Sequence, residues 1–182
     1  MRQAAAATCR EQRSAMFSAR DPSDVDRFFR GLTEYAFHAR LGVVDPPLVD
    51  YVSHLLVRFL RNEQLVVPPG VADASATVTR LLLAAERHDA PEDARQEYRH
   101  IGDVTLFWSG LYPEAIARSR QPGPADSLAG YREAGRRAYW LASRLEPDDA
   151  AEQRALFERL ADEYDLCVKG LGEVRRAWGE AA

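Results

Sequence analysis

The chain has 182 residues, 46% of them hydrophobic and 29% charged, enough apolar material for one sizeable core and one compact domain. No apolar run approaches the roughly 18 residues that a membrane-crossing helix needs. A net charge of -4 and a pI of about 5.6 argue against a protein that neutralises many phosphates, so neither a nucleic acid nor a membrane is expected as partner.

The first residues, Met1 to Glu11, hold a run of alanines soon cut by charge, unlike the apolar core of an export signal. Cys9 and Cys167 stand far apart, which indicates neither a disulfide framework nor a thiolate zinc site. A reducing cytoplasm is the expected setting. Lys169 is the single lysine among 24 basic residues, an arginine skew that points to GC-rich bacterial coding.

Strand signals are nearly absent, whereas apolar spacings of three and four recur throughout. An N-terminal helix is expected near residues 3–19, with a break at Asp21-Pro22. Ser23 then caps a helix whose stripe is Val25, Phe28, Leu32, Tyr35, Ala36 and Ala39, and Gly42 stands where a C-terminal glycine belongs. Phe37 points away from that stripe. Asp45-Pro46 opens the next helix, with Leu48, Val52, Leu55, Leu56 and Phe59 on one side, ending near Asn62.

Residues 64–72 contain Pro-Pro-Gly and read as an apolar loop. A helix starting at Asp73 or Ser75 follows, through Val78, Leu81, Leu82 and Ala85. The next runs from Pro91 to Leu111, breaks at Pro113 and leaves a short piece from Glu114 to Arg118. Beyond the loop at 121–124, a helix from Asp126 to Leu145 carries Leu128, Tyr131, Gly135, Ala138, Ala142 and Leu145, small in the middle so that a neighbouring backbone can come close. On its other flank Tyr139 and Trp140 widen the apolar face.

The last helix opens at Pro147. Its seam of Phe157, Leu160, Tyr164, Cys167, Leu171, Val174 and Trp178 alternates steps of three and four, as in a close helix pair or coiled coil, and makes a dimer plausible. Gly170 and Gly172 are expected to bend or fray its end. Residues 115–145 hold six arginines against two acids, and residues 146–165 eight acids against two arginines, so these two helices should attract each other. Arg132, Arg136 and Arg137 form either an anion patch or partners for that acidic stretch.

The segment from Glu97 to Glu114 is the most informative. Ile101, Val104, Leu106, Phe107, Trp108, Leu111 and Tyr112 cover nearly every direction, which predicts a buried central helix. Projection at 100 degrees per residue turns Glu97 and His100 toward the interior. Glu97-x-x-His100 is the spacing that sets a carboxylate and an imidazole on one face in carboxylate-bridged di-iron bundles, and Asp103 adds an acid one turn on. A complete site of that type wants a second such pair and further glutamates. The sequence offers only Glu34 with His38 and Asp50 with His54, both four apart and off their apolar stripes. In the alternative reading Glu97, His100 and Asp103 satisfy buried backbone or arginine partners.

Residues Gly102 to Glu114 follow the pattern Gly-Asp-x-x-Leu-Phe-x-Ser-Gly-x-x-Pro-Glu. The stretch resembles one found in uncharacterised bacterial all-helical proteins, and the resemblance covers only this helix and its exit. It implies a buried helix leading into a proline-kinked turn, and no catalytic role.

Nucleophiles have little support. Ser109 follows no strand and is not in Gly-x-Ser-x-Gly, Cys167 lies in the seam, and Gly170-x-Gly172 lacks the rest of a dinucleotide fingerprint. The expectation is an all-α, single-domain bundle of six or seven mainly antiparallel helices over residues 23–182, after an N-terminal helix or arm over residues 1–22. The leading functional reading is a non-catalytic protein that binds a partner protein, a second copy of itself or an apolar small ligand, the last lined by Tyr98, Trp108, Tyr112 and Tyr131. No cofactor is expected on that reading. The alternative is a metal-dependent enzyme or redox protein holding iron or another divalent ion at Glu97, His100 and Asp103.

Overall fold

The computed structural model describes residues 22–61, 78, 82–117 and 128–181. The expected helix near residues 3–19, the loops at 64–72 and 121–124 and most of the helix begun at Asp73 or Ser75 lie outside the described residues; within that last helix, residues 82–85 are helical.

The described elements are helices α1 (Pro22–Glu34), a π-helical turn (Tyr35–Arg40), α2 (Pro46–Arg61), α3 (Pro91–Leu111), α4 (Pro113–Ala117), α5 (Leu128–Arg144), α6 (Ala151–Asp162) and α7 (Tyr164–Ala181). There is no strand among the described residues, and the fold is an all-α bundle. No described helix is long and apolar enough to cross a membrane.

Helix α3 is the central one, packed across α5 and α7 and touching α2 and α4. Its second half, from Ile101 to Leu111, is buried at every position but Val104. Pro91 supplies a preset first turn, with Glu92 and Asp93 beside the positive end of the helix dipole. At the other end Pro113 stops the helix, and Arg175 of α7 donates to the Leu111 carbonyl at 2.6 Å. The same guanidinium pairs with Glu114 at 2.8 Å and lies 5.5 Å from the Tyr112 ring centre.

Glycines set how closely the central helix is approached. At Gly102 a Cβ would stand 2.6 Å from the Tyr139 ring of α5, and at Gly135 on α5 it would overlap Thr105 Oγ1 and Tyr164 OH. Small residues on both sides of the α3–α5 crossing thus admit the Tyr139 and Tyr164 rings, as the small middle of the sequence stripe predicts. Stacked rings fill the rest of the core, Phe59 on Phe107 at 5.0 Å and Tyr139 on Phe157 at 6.0 Å.

Four expectations change. The stripe of the first helix is Val25, Phe29, Thr33, Ala36 and Phe37, turned from the one read in the sequence, while Tyr35 is 52% exposed. Phe37, on the π-helical turn, continues the row of Phe29 and Thr33 into the core and lies against Gly170. Gly170 is therefore a seat for a ring in a helix that continues to Ala181, not a point of fraying. The last helix is two, because the Asp148-Asp149 turn delays its start to Ala151 and the backbone departs from helical geometry at Glu163. The seam from Phe157 to Trp178 is buried inside the chain, with Leu160, Tyr164, Cys167, Leu171 and Val174 wholly inaccessible, so it is spent on the fold. Gly42 does take the positive φ, 69°, expected of a helix-ending glycine.

Alanine scanning of the helical glycines should separate these roles by sign. Gly135→Ala gains helix propensity but overpacks the core and should destabilise by about 1–3 kcal/mol. Gly31 of α1 has nothing within 4 Å of a Cβ, so Gly31→Ala should stabilise by about 0.5–1 kcal/mol. Urea unfolding of both variants reads the two signs directly.

Candidate functional site

Two carboxylates are buried among the described residues, Asp103 on α3, 4% exposed, and Glu146 beyond the end of α5, 8% exposed and paired with Arg95, and Asp103 is the one on the central helix. Tyr51 and Arg58 lie seven residues apart on α2, two helical turns, and so project from the same face toward it. Asp103 Oδ1 accepts from Tyr51 OH at 2.7 Å and from Tyr139 OH of α5 at 2.8 Å, and Oδ2 accepts from Arg58 at 2.5 Å. A single side chain thus joins α2, α3 and α5.

Burial pushes the Asp103 carboxyl above the ordinary carboxylate range, against the opposing pull of Arg58, both hydroxyls and the nearby Arg99. The tyrosines shift for the same reason, burial first and then the neighbouring acid, which holds Tyr51 and Tyr139 protonated as donors. Arg58 is the wet end of the network, its side chain 47% exposed. With Tyr51, Tyr139 and Arg58 all donating to it, the carboxylate is equipped to fasten helices.

Of the three residues proposed as metal ligands, Asp103 is buried and Glu97 and His100 are half-buried, so the acid one turn on goes deeper than the pair the helical projection turned inward. Among the described residues no group of three or more His, Cys, Asp or Glu side chains is placed to hold a metal ion. His38, His54 and His88 are exposed, and His54 meets Arg30 at 3.3 Å.

The four aromatics proposed to line an apolar site, Tyr98, Trp108, Tyr112 and Tyr131, all belong to the core, between 3% and 9% exposed. Trp108 packs on Tyr112 at 5.4 Å and edge-on to Phe107 at 5.8 Å. Ser109 is a buried packing residue, and burial pushes the Cys167 thiol up to about 12, which keeps it protonated.

The accessible site lies on the other side of α5. Tyr139 is wholly buried and Trp140, the next residue, is 51% exposed, so adjacent aromatics serve opposite faces of one helix. Trp140 lines a surface groove of about 370 Å³ with Glu133, Arg136 and Arg137, closed on the α6 side by Ala161 and Asp162. Arg136 pairs with Asp165 at 2.8 Å and Arg132 reaches the same acid at 4.0 Å, so the acidic stretch supplies partners for two of the three arginines. Arg137 and Arg144 are exposed and make no ion pair among the described residues. The charge contrast between the two segments flagged the arginine and acid partners; an outward tryptophan beside an inward tyrosine left no separate signal.

No protein-family model matches this chain, and neither a curated protein nor a solved structure is detectably similar to it.

Removing the Asp103 carboxylate leaves two buried hydroxyls without their acceptor. Asp103→Ala should therefore cost about 3 kcal/mol, and Asp103→Asn, which keeps one acceptor oxygen, about half as much. Because the folded state holds the Asp103 proton more tightly than the unfolded chain, this group's contribution is fully present below the ordinary carboxylate range and is lost as pH rises through its folded pKa. The advantage of the wild type over Asp103→Asn should accordingly shrink with rising pH in a series of urea titrations. An advantage that grows with pH would mean that Arg58 outweighs burial.

Proposed function

We propose that this chain is a non-catalytic helical protein that acts through a protein partner, docked on the outer face of α5 around Trp140. The observation that carries the reading is Trp140 itself, a large aromatic with half its surface in water on a helix whose other face is core. Tryptophan and arginine are the residues that most often dominate the energy of protein interfaces, through broad apolar contact and charge-assisted hydrogen bonds. Arg137 stands one turn before Trp140 and Arg144 one turn after, both exposed and in no ion pair among the described residues. The groove beside them is small and half polar in character, which suits a protruding side chain of a protein better than an enclosed apolar molecule.

The test is a photo-crosslinking amino acid placed at Trp140 in cells, with the same substitution at exposed Arg40 on the π-helical turn as control. Protein adducts from position 140 and none from position 40 are expected. No adduct from either position, or equal labelling from both, would remove the reading. Trp140→Ala should meanwhile lower unfolding stability by only about 1 kcal/mol, since half of the indole is already in water.

A further inference from the structure

Five exposed residues of α5, Ala129, Glu133, Arg137, Trp140 and Arg144, follow one another by four, four, three and four and so lie within one narrow arc of the helix. The order of charge along that arc is acid, base, aromatic, base. When a second α5 is laid against it antiparallel, about a twofold axis crossing between Ala138 and Tyr139, position 133 faces 144 of the other copy and 137 faces 140. Each acid then meets a base, and each remaining arginine meets an indole, twice over.

We infer that the partner docked on the outer face of α5 is a second copy of this chain, in a twofold antiparallel α5–α5 contact built on two Glu133–Arg144 ion pairs and two Arg137–Trp140 cation–π pairs. This deepens the partner-binding reading and rests on it. The pairing is self-complementary, as a twofold interface must be, since each copy offers the same patch. A parallel alignment gives no such match, because it sets Glu133 against Glu133 and arginine against arginine. Glu133 is available for the contact: its internal partner is Arg136 at 3.4 Å, with side chains 67% and 39% exposed, and such surface pairs hold their members only weakly. Arg137 and Arg144 have no competing ion pair among the described residues. An arginine over an indole is the favoured cation–π geometry and suits a partly wet rim.

The size of the contact sets its strength. The stripe from 133 to 144 spans three turns, about 16 Å, and one helix face of that length falls short of the ~800 Å² per partner of a standard interface. The dimer is therefore of the weak, transient kind.

Sedimentation equilibrium of the purified full chain from about 5 µM to about 500 µM tests this, with the four side chains varied. Monomer–dimer exchange is expected for the wild type, weakened about tenfold or more by Trp140→Ala. Glu133→Arg and Arg144→Glu should each weaken it by a similar factor, since each sets like charges opposite one another. The double variant carrying both exchanges should recover wild-type association to within about threefold. Residues 133 and 144 are too far apart to pair within one helix, so that recovery arises only across two copies. Circular dichroism confirms that each variant is folded. A wild type that stays monomeric throughout, a dimer indifferent to Trp140→Ala, or a double variant no better than the weaker single one would each overturn the inference. A monomer that still crosslinks from position 140 to a different protein in cells would reject the self-contact and leave the partner-binding reading standing. Absence of any adduct would reject both.

Discussion

A carboxylate placed in the middle of a helical bundle has to be satisfied from several directions, and meeting that demand at Asp103 fixes how three helices sit. Its Oδ1 takes hydroxyls from α2 and α5 and its Oδ2 takes the guanidinium of α2. These are directional contacts with narrow distance ranges, unlike the apolar packing around them, which tolerates sliding. Tyr139 can reach Asp103 only because Gly102 leaves room for its ring, and α5 can lie so close because Gly135 makes space for Tyr164. The polar clamp and the glycine contacts are therefore one device. Without Gly102 the Tyr139 hydroxyl could not arrive, and without the acid the close approach of α5 would strand it.

Seen this way, the residues of the Gly102–Glu114 segment each have a mechanical reason. Gly102 seats Tyr139, Asp103 takes the three donors, and Leu106 is wholly buried. Phe107 stacks on Phe59, Gly110 lies against Leu171, Pro113 ends the helix and Glu114 holds Arg175. Such a chain of contacts runs from α2 through α3 to α7 and secures the second half of α3 and its exit.

The fold was legible wherever the signal was a period or a punctuation mark. The span of α3 from Pro91 to Leu111, the stop at Pro113 and the positive φ of Gly42 all follow from local rules of proline, glycine and apolar spacing. The buried character of α3 was legible too, because its apolar residues leave no polar face. What stayed hidden depends on partners. Helical projection cannot tell that Asp103 sinks deeper than Glu97 and His100, since depth is set by Tyr51, Arg58 and Tyr139, far away in sequence. Phe37 was read as lying off the stripe because that stripe was centred on Phe28 and Leu32, whereas burial follows the row Phe29, Thr33 and Phe37, four residues apart. The seam from Phe157 to Trp178 looked open to a second chain because a heptad-like pattern does not say whether its partner is internal.

The same ambiguity explains why the proposed docking surface had to come from the structure. Tyr139 and Trp140 are adjacent, and a sequence shows only that α5 has two apolar sides. Burying Tyr139 at Asp103 consumes one of them and fixes the rotation of α5 in the bundle. That rotation decides the rest: with Tyr139 inward, the arc bearing Glu133, Arg137, Trp140 and Arg144 must face water. The buried carboxylate and the exposed tryptophan are thus coupled through a single helix. The interaction that locks the core also sets which side chains the molecule presents, and it does so on a helix too firmly held to turn Trp140 back inside.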